Sequence, residues 1–115
     1  MFVLRWTEEA SAAYARLKEK AAAALGARRQ KARAKSSRDE GLYKQVHKCV
    51  SLLAENPRHP GLHTHEYRSL SHPFNLQEKV FEAYVQNRTP VAYRVFWCYG
   101  PEADQITVIA ITPHP

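Results

Sequence analysis

At 115 residues, with 44% apolar residues and a net charge of +6, the chain is sized for one domain that folds without disulfides or a structural metal. No apolar run nears the roughly 20 residues that span a bilayer. The opening Met1-Phe-Val-Leu-Arg5 reaches a charge too early for a signal-peptide core. A cytoplasmic protein is the expectation, in which Cys49 and Cys98 read as isolated small hydrophobes rather than a disulfide.

Phe2-Val-Leu-Arg-Trp6 is β-branched and aromatic and predicts a first strand. Thr7 suits an N-cap, with Glu8 and Glu9 at the positive end of the helix that follows. Ala10, Tyr14, Leu17, Ala21 and Leu25 recur at helical steps. The helix ends at Gly26 or continues into the basic tract. Ser37-Arg-Asp-Glu40 has the form of a capping box, so a second helix begins near Arg38. Its stripe is Leu42, Val46, Cys49 and Leu53, and Asn56-Pro57 closes it.

After a loop from Pro57 to Leu62, Thr64 to Leu70 alternates weakly enough to be a strand or a loop. Three clear strands follow at Lys79–Val85, Ala92–Cys98 and Gln105–Ile111, joined by connections short enough for antiparallel neighbours. The fold class is α+β. It comprises an N-terminal strand, a two-helix hairpin with a basic tip at about residues 26–40, and a three- to four-stranded antiparallel sheet with the helices on one face. Alternation puts Glu82 and Tyr84 on one face of their strand and Arg94 and Phe96 on one face of the next, so Glu82, Tyr84 and Arg94 are expected neighbours on the other, open face.

The charge is unevenly placed. Residues 1–50 hold 12 Lys/Arg against 5 Asp/Glu, a balance of +7, while residues 51–115 hold 5 against 6, a balance of −1. The excess peaks at Arg28, Arg29, Lys31, Arg33 and Lys35. Such a block attracts phosphates or an acidic protein partner, unless it is only a solvated helix end.

Three short stretches carry a resemblance. Leu4-Arg-Trp-Thr-Glu-Glu-Ala10, Ala92-Tyr-Arg-Val-Phe-Trp97 and Ile106-Thr-Val-Ile-Ala-Ile-Thr-Pro-His114 are similar to the opening strand and helix, the tyrosine-arginine strand and the last strand of the RelE/ParE superfamily of toxin–antitoxin toxins. The likeness spans nearly the whole chain as a single RelE/ParE-like domain. It implies an antitoxin partner and, for RelE-like members, cleavage of messenger RNA on the ribosome. By position it makes Arg94 a phosphate-binding residue and His114 the group that stabilises or protonates the leaving oxygen. Glu82 and Tyr84 lie on the strand that supplies further catalytic side chains. The chain departs from RelE itself in lacking lysines inside that strand, with only Lys79 at its start.

That chemistry needs no metal. The RNA 2′-hydroxyl attacks, a base takes its proton, a cation steadies the extra charge on phosphorus and an acid protonates the 5′-oxygen. Glu82 is the candidate base, Arg94 the phosphate clamp and His114 the acid. Tyr84, His63 or His65 can stack on a splayed base. The candidate RNA contacts are Arg68, His65, Lys79, Arg28, Arg29, Lys31, Arg33 and Lys35. The bland alternatives are an Arg94–Glu82 structural ion pair and a solvated His114. His63-x-His65, with His59 and His72 nearby, lacks the ligand set of a zinc site, so neither metal nor cofactor is expected. Two other functions fit the same fold: a ParE-like inhibitor of DNA gyrase, and a non-catalytic RNA- or antitoxin-binding relative.

Overall fold

The computed structural model describes residues 1–30, 37–87, 89 and 91–114. Strand β1 (Val3–Trp6) leads into helix α1 (Glu8–Gln30), then α2 (Arg38–Glu55), a 3-10 turn (Pro60–Leu62), and strands β2 (His65–Glu66), β3 (Phe81–Tyr84), β4 (Tyr93–Tyr99) and β5 (Gln105–Pro113).

Thr7 caps α1 as expected. Its hydroxyl oxygen accepts from the Ala10 amide at 3.0 Å while its proton goes to the Ile109 carbonyl at 2.7 Å, so the cap also ties the helix to β5. Gly26 does not end the helix, which runs on to Gln30. At α2 both arms of the capping box form. The Glu40 amide donates to Ser37 Oγ at 3.2 Å, and the Ser37 amide donates to Glu40 Oε2 at 2.7 Å.

Glu40 also receives Arg28 Nε at 3.1 Å and Nη2 at 2.9 Å, which clips the end of α1 to the start of α2. Arg28 is therefore engaged inside the hairpin rather than held out for RNA, contrary to the expectation for that residue. Lys31, Arg33 and Lys35 lie outside the described residues. The Arg28 guanidinium, helped by the Ser37 amide, pulls the Glu40 carboxyl down to about 2 from an ordinary 4.5. A depressed carboxyl contributes stability above its unfolded value and loses it as pH falls through the folded one. The hairpin is thus expected to loosen between about pH 4.5 and 2. Glu40→Gln should remove this acid-sensitive component from a circular-dichroism pH titration. An unchanged titration curve would assign the acid transition elsewhere.

The sheet has five strands in the order β1-β5-β4-β3-β2, one more than the upper expectation, and it is mixed rather than wholly antiparallel. β1 lies parallel to β5, with Leu4 beside Ile106. The other three pairings are antiparallel, and Tyr84 stands opposite Arg94. The weakly alternating stretch contributes only two residues, His65 and Glu66, opposite Glu82 and Phe81.

The core lies between the sheet and the helical hairpin. Val95, Trp97, Ile106 and Val108 of the sheet meet Ala10 and Leu17 of α1 and Val46, Cys49 and Leu53 of α2. Burial pushes the Cys49 thiol up to about 12 and the Cys98 thiol up to about 11, so both are unreactive core residues with no disulfide between them. His72 is structural as well. Its Nδ1 accepts from the amides of Phe74 and Asn75, each at 3.1 Å, so Nε2 carries the proton it donates to the Tyr99 carbonyl at 2.9 Å.

Candidate active site

The face of the sheet turned away from the helices holds a cluster of ionisable groups. Glu82 extends from β3 and is only 1% exposed. Its two oxygens are held by two imidazoles. His65 Nε2, directly across from it on β2, lies 2.6 Å from Oε1. His114 Nδ1, just past the end of β5, lies 2.6 Å from Oε2. The His114 backbone is fixed by its amide, which donates to the Ala92 carbonyl at 2.8 Å. Tyr67 covers Phe96, the β4 neighbour of Glu82, at 4.7 Å between ring centroids. The face expected to be open is thus closed over Glu82 by His65, His114 and the chain around β2.

The two histidines differ in what they leave available. His65 Nδ1 lies 3.2 Å from the His63 carbonyl, a weak bond in which the nitrogen must be the donor. His114 Nε2 makes no bond among the described residues. Both rings stand partly in solvent, at 49% and 44% exposed. Their reach outward contrasts with the carboxylate, which can act on solvent only through them.

Arg94 stands one step along the same face. Its guanidinium lies over the Tyr84 ring, 3.7 Å from the centroid, and Nη1 donates to the carbonyls of Gln86 and Tyr93. It does not pair with Glu82, so the structural ion pair considered from sequence is not formed. Arg94 is 7% exposed, and its Nε has no hydrogen-bond partner among the described residues. The guanidinium is thus buried, held by carbonyls on one nitrogen and unpaired at Nε among the described residues, an arrangement that costs free energy while that donor stays unmatched.

Tyr84 supports this arrangement from below. Besides Arg94, its ring meets His63 at 5.4 Å and His65 at 5.7 Å. That crowding suits a platform for Arg94 better than a free surface for a base.

The other expected RNA contacts make no hydrogen bond or ion pair with this cluster. Arg68 is exposed and lies 3.6 Å from Glu66. Lys79 is exposed ahead of β3, and Arg29 is exposed near the end of α1. Among the described residues no group of three or more His, Cys, Asp or Glu is arranged to hold a metal ion. No described helix is long and apolar enough to cross a membrane.

Sequence reasoning missed that His65 is a partner of Glu82 rather than an isolated RNA contact. The signal was the pair His63 and His65, two residues apart on a segment that runs back along β3. It also missed Gln86, whose carbonyl holds Arg94 and whose Oε1 accepts the Tyr93 amide at 3.1 Å.

The chain has the fold of solved RelE/ParE-like toxins: a strand, a helical hairpin and an antiparallel run joined into one five-stranded sheet. The solved structures it is similar to include a YoeB/ParE toxin from Agrobacterium tumefaciens, at TM-score 0.60 and 10% identity with 100% of both chains covered. A YoeB dimer from Staphylococcus aureus is similar at TM-score 0.58 and 10% identity, covering 99% of this chain and 98% of that one. No protein-family model and no curated protein sequence matches the chain.

Proposed function

We propose that the protein is the toxin of a toxin–antitoxin pair and a metal-independent endoribonuclease that cuts messenger RNA on the ribosome. The observation that carries this reading is the buried Glu82 carboxylate holding one imidazole on each oxygen, beside an arginine whose Nε is unpaired. Toxin–antitoxin function is supported by the fold shared with the two solved toxins.

In this mechanism Arg94 grips the non-bridging oxygens of the scissile phosphate. His65 acts in its neutral form, with its one proton on Nε2 toward Glu82 and with Nδ1 unprotonated and released from the His63 carbonyl, and takes the 2′-hydroxyl proton on Nδ1. The 2′-oxygen forms its bond to phosphorus as the bond to the 5′-oxygen breaks. His114, held through Nδ1 by Glu82, gives a proton from Nε2 to that departing oxygen. The products are a 2′,3′-cyclic phosphate and a 5′-hydroxyl, with one proton taken up and one released. Glu82 serves as the shared anchor that sets both ring orientations, instead of as the base foreseen from sequence.

The test is the pH dependence of cleavage. A base that must be deprotonated and an acid that must be protonated give a bell-shaped rate profile. His65→Ala should remove the acidic limb and His114→Ala the alkaline limb, each at a much lower rate. A profile whose limbs ignore both substitutions would refute these roles. If expression leaves transcripts intact but produces DNA damage, the gyrase-inhibitor function takes precedence. Intact transcripts with normal growth would instead indicate a binding relative.

A further inference from the structure

A cavity of about 490 Å³ lies away from the cluster just described, lined by Pro57, Arg58, His59, Pro60, His63, Thr64, Phe81, Trp97 and Tyr99. Phe81 and Trp97 are paired across β3 and β4, one position from the Glu82–Phe96 pair, so strand alternation turns them to the opposite face of the sheet. The cavity and the candidate active site are therefore separate places, linked at the strand edge by His63, which lines one and touches Tyr84 of the other.

The wall is aromatic. Phe81 and Trp97 stack at 4.9 Å with their planes 29° apart, and Tyr99 meets both edge-on at 5.9 and 5.0 Å. The other side of the cavity carries the Arg58 guanidinium and the imidazoles of His59 and His63. His59 Nδ1 accepts the Gly61 amide at 2.9 Å, which leaves Nε2 without a bond among the described residues. His63 holds a left-handed backbone (φ 48°, ψ 40°), a conformation that side chains rarely adopt. Two of the lining side chains, Thr64 and Trp97, carry buried polar atoms, Oγ1 and Nε1, with no partner among the described residues. Native proteins leave few such atoms unpaired, so each of these two calls for a partner, whether water or ligand.

An aromatic wall opposite the Arg58 guanidinium fits a planar ring that bears an anion, and the volume suits a ligand the size of a nucleotide. We infer that this cavity is a binding site for a nucleoside monophosphate, its base against Phe81 and Tyr99 beside the buried Trp97 and its phosphate toward Arg58 and His59. The same chemistry can come from a free nucleotide or from one nucleotide of a bound strand. The site stands independently of RNA cleavage at Glu82.

The indole N–H of Trp97 offers a direct reading in a two-dimensional NMR spectrum, with Trp6→Phe assigning the signal. Titration with the four ribonucleoside monophosphates to millimolar concentration should shift that resonance. Arg58→Ala, a change in an exposed side chain, should weaken the effect about tenfold, the loss of one charge-assisted hydrogen bond. A 2′-O-methylated pentanucleotide that shifts the same signal and displaces the mononucleotide assigns the source to a strand. A response to mononucleotides alone assigns it to free nucleotide. The inference fails if no nucleotide moves the resonance, or if nucleosides bind as well as monophosphates and Arg58→Ala changes nothing. It also fails if an acidic peptide shifts the signal while nucleotides do not, which would make the cavity a protein-docking site. Because the readout is binding, these outcomes remain distinct from a failure of the nuclease reading.

Discussion

His114→Ala should slow RNA cleavage by about 100- to 10,000-fold, the usual range for losing one positioned acid or base, while the protein stays folded. The fold should survive because the ring is 44% exposed and no core residue rests on it. Glu82 would still keep its bond from His65. Arg94→Ala should cause a loss of about 100- to 1,000-fold, the magnitude seen when one transition-state donor is removed. Arg94 is buried and its Nη1 is bonded to two carbonyls, so this variant also carries a stability cost. Arg94→Lys separates the two effects. It keeps the charge but loses the planar fork, and should remain folded yet impaired. Cleavage rates paired with thermal melts decide the matter. Full activity in a folded His114→Ala protein would remove His114 from the mechanism.

The second large effect concerns Glu82. A carboxylate with both oxygens engaged looks structural, yet buried ion pairs are commonly no more stabilising than an apolar residue of similar volume. Glu82→Met should therefore melt at about the parent temperature or above it, since the two imidazoles it releases can turn to water. Cleavage should nevertheless collapse, because neither ring would be held in a working tautomer and orientation. Glu82→Gln offers a finer test. An amide has one accepting oxygen and one donating NH2, so it can hold one imidazole N–H and forces the other ring to present an unprotonated nitrogen, the wrong tautomer for its role. An effect of about 10- to 100-fold is expected, as for other residues that orient a reacting group. If the Met variant lost several kcal/mol of stability while its folded fraction stayed fully active, Glu82 would be a structural residue only.

Much of this arrangement could be read from local sequence. Ser37 and Glu40 define a capping box through contacts three residues apart, and the structure contains it as expected. The alternation in β3 and β4 correctly turned Glu82, Tyr84 and Arg94 to one face, because side-chain direction in a strand depends on the backbone alone. What local pattern could not supply was depth. Glu82 is buried because His65 comes from β2 and His114 from beyond β5, and each joins it through tertiary pairing. The parallel addition of β1 to β5 is likewise a contact between distant segments, invisible to periodicity. The basic tract misled at Arg28, where the nearest acid in space was Glu40, 12 positions on and across the hairpin. β2 fell short of its expected length because only His65 and Glu66 pair with β3.

The most direct test of the central claim, that two imidazoles anchored on Glu82 cleave RNA through its own 2′-hydroxyl, is the chemistry of the cut ends. Transcripts recovered after brief induction should carry breaks within translated codons, each with a 2′,3′-cyclic phosphate upstream and a 5′-hydroxyl downstream. Breaks bearing 5′-phosphates, or intact transcripts in arrested cells, would contradict it.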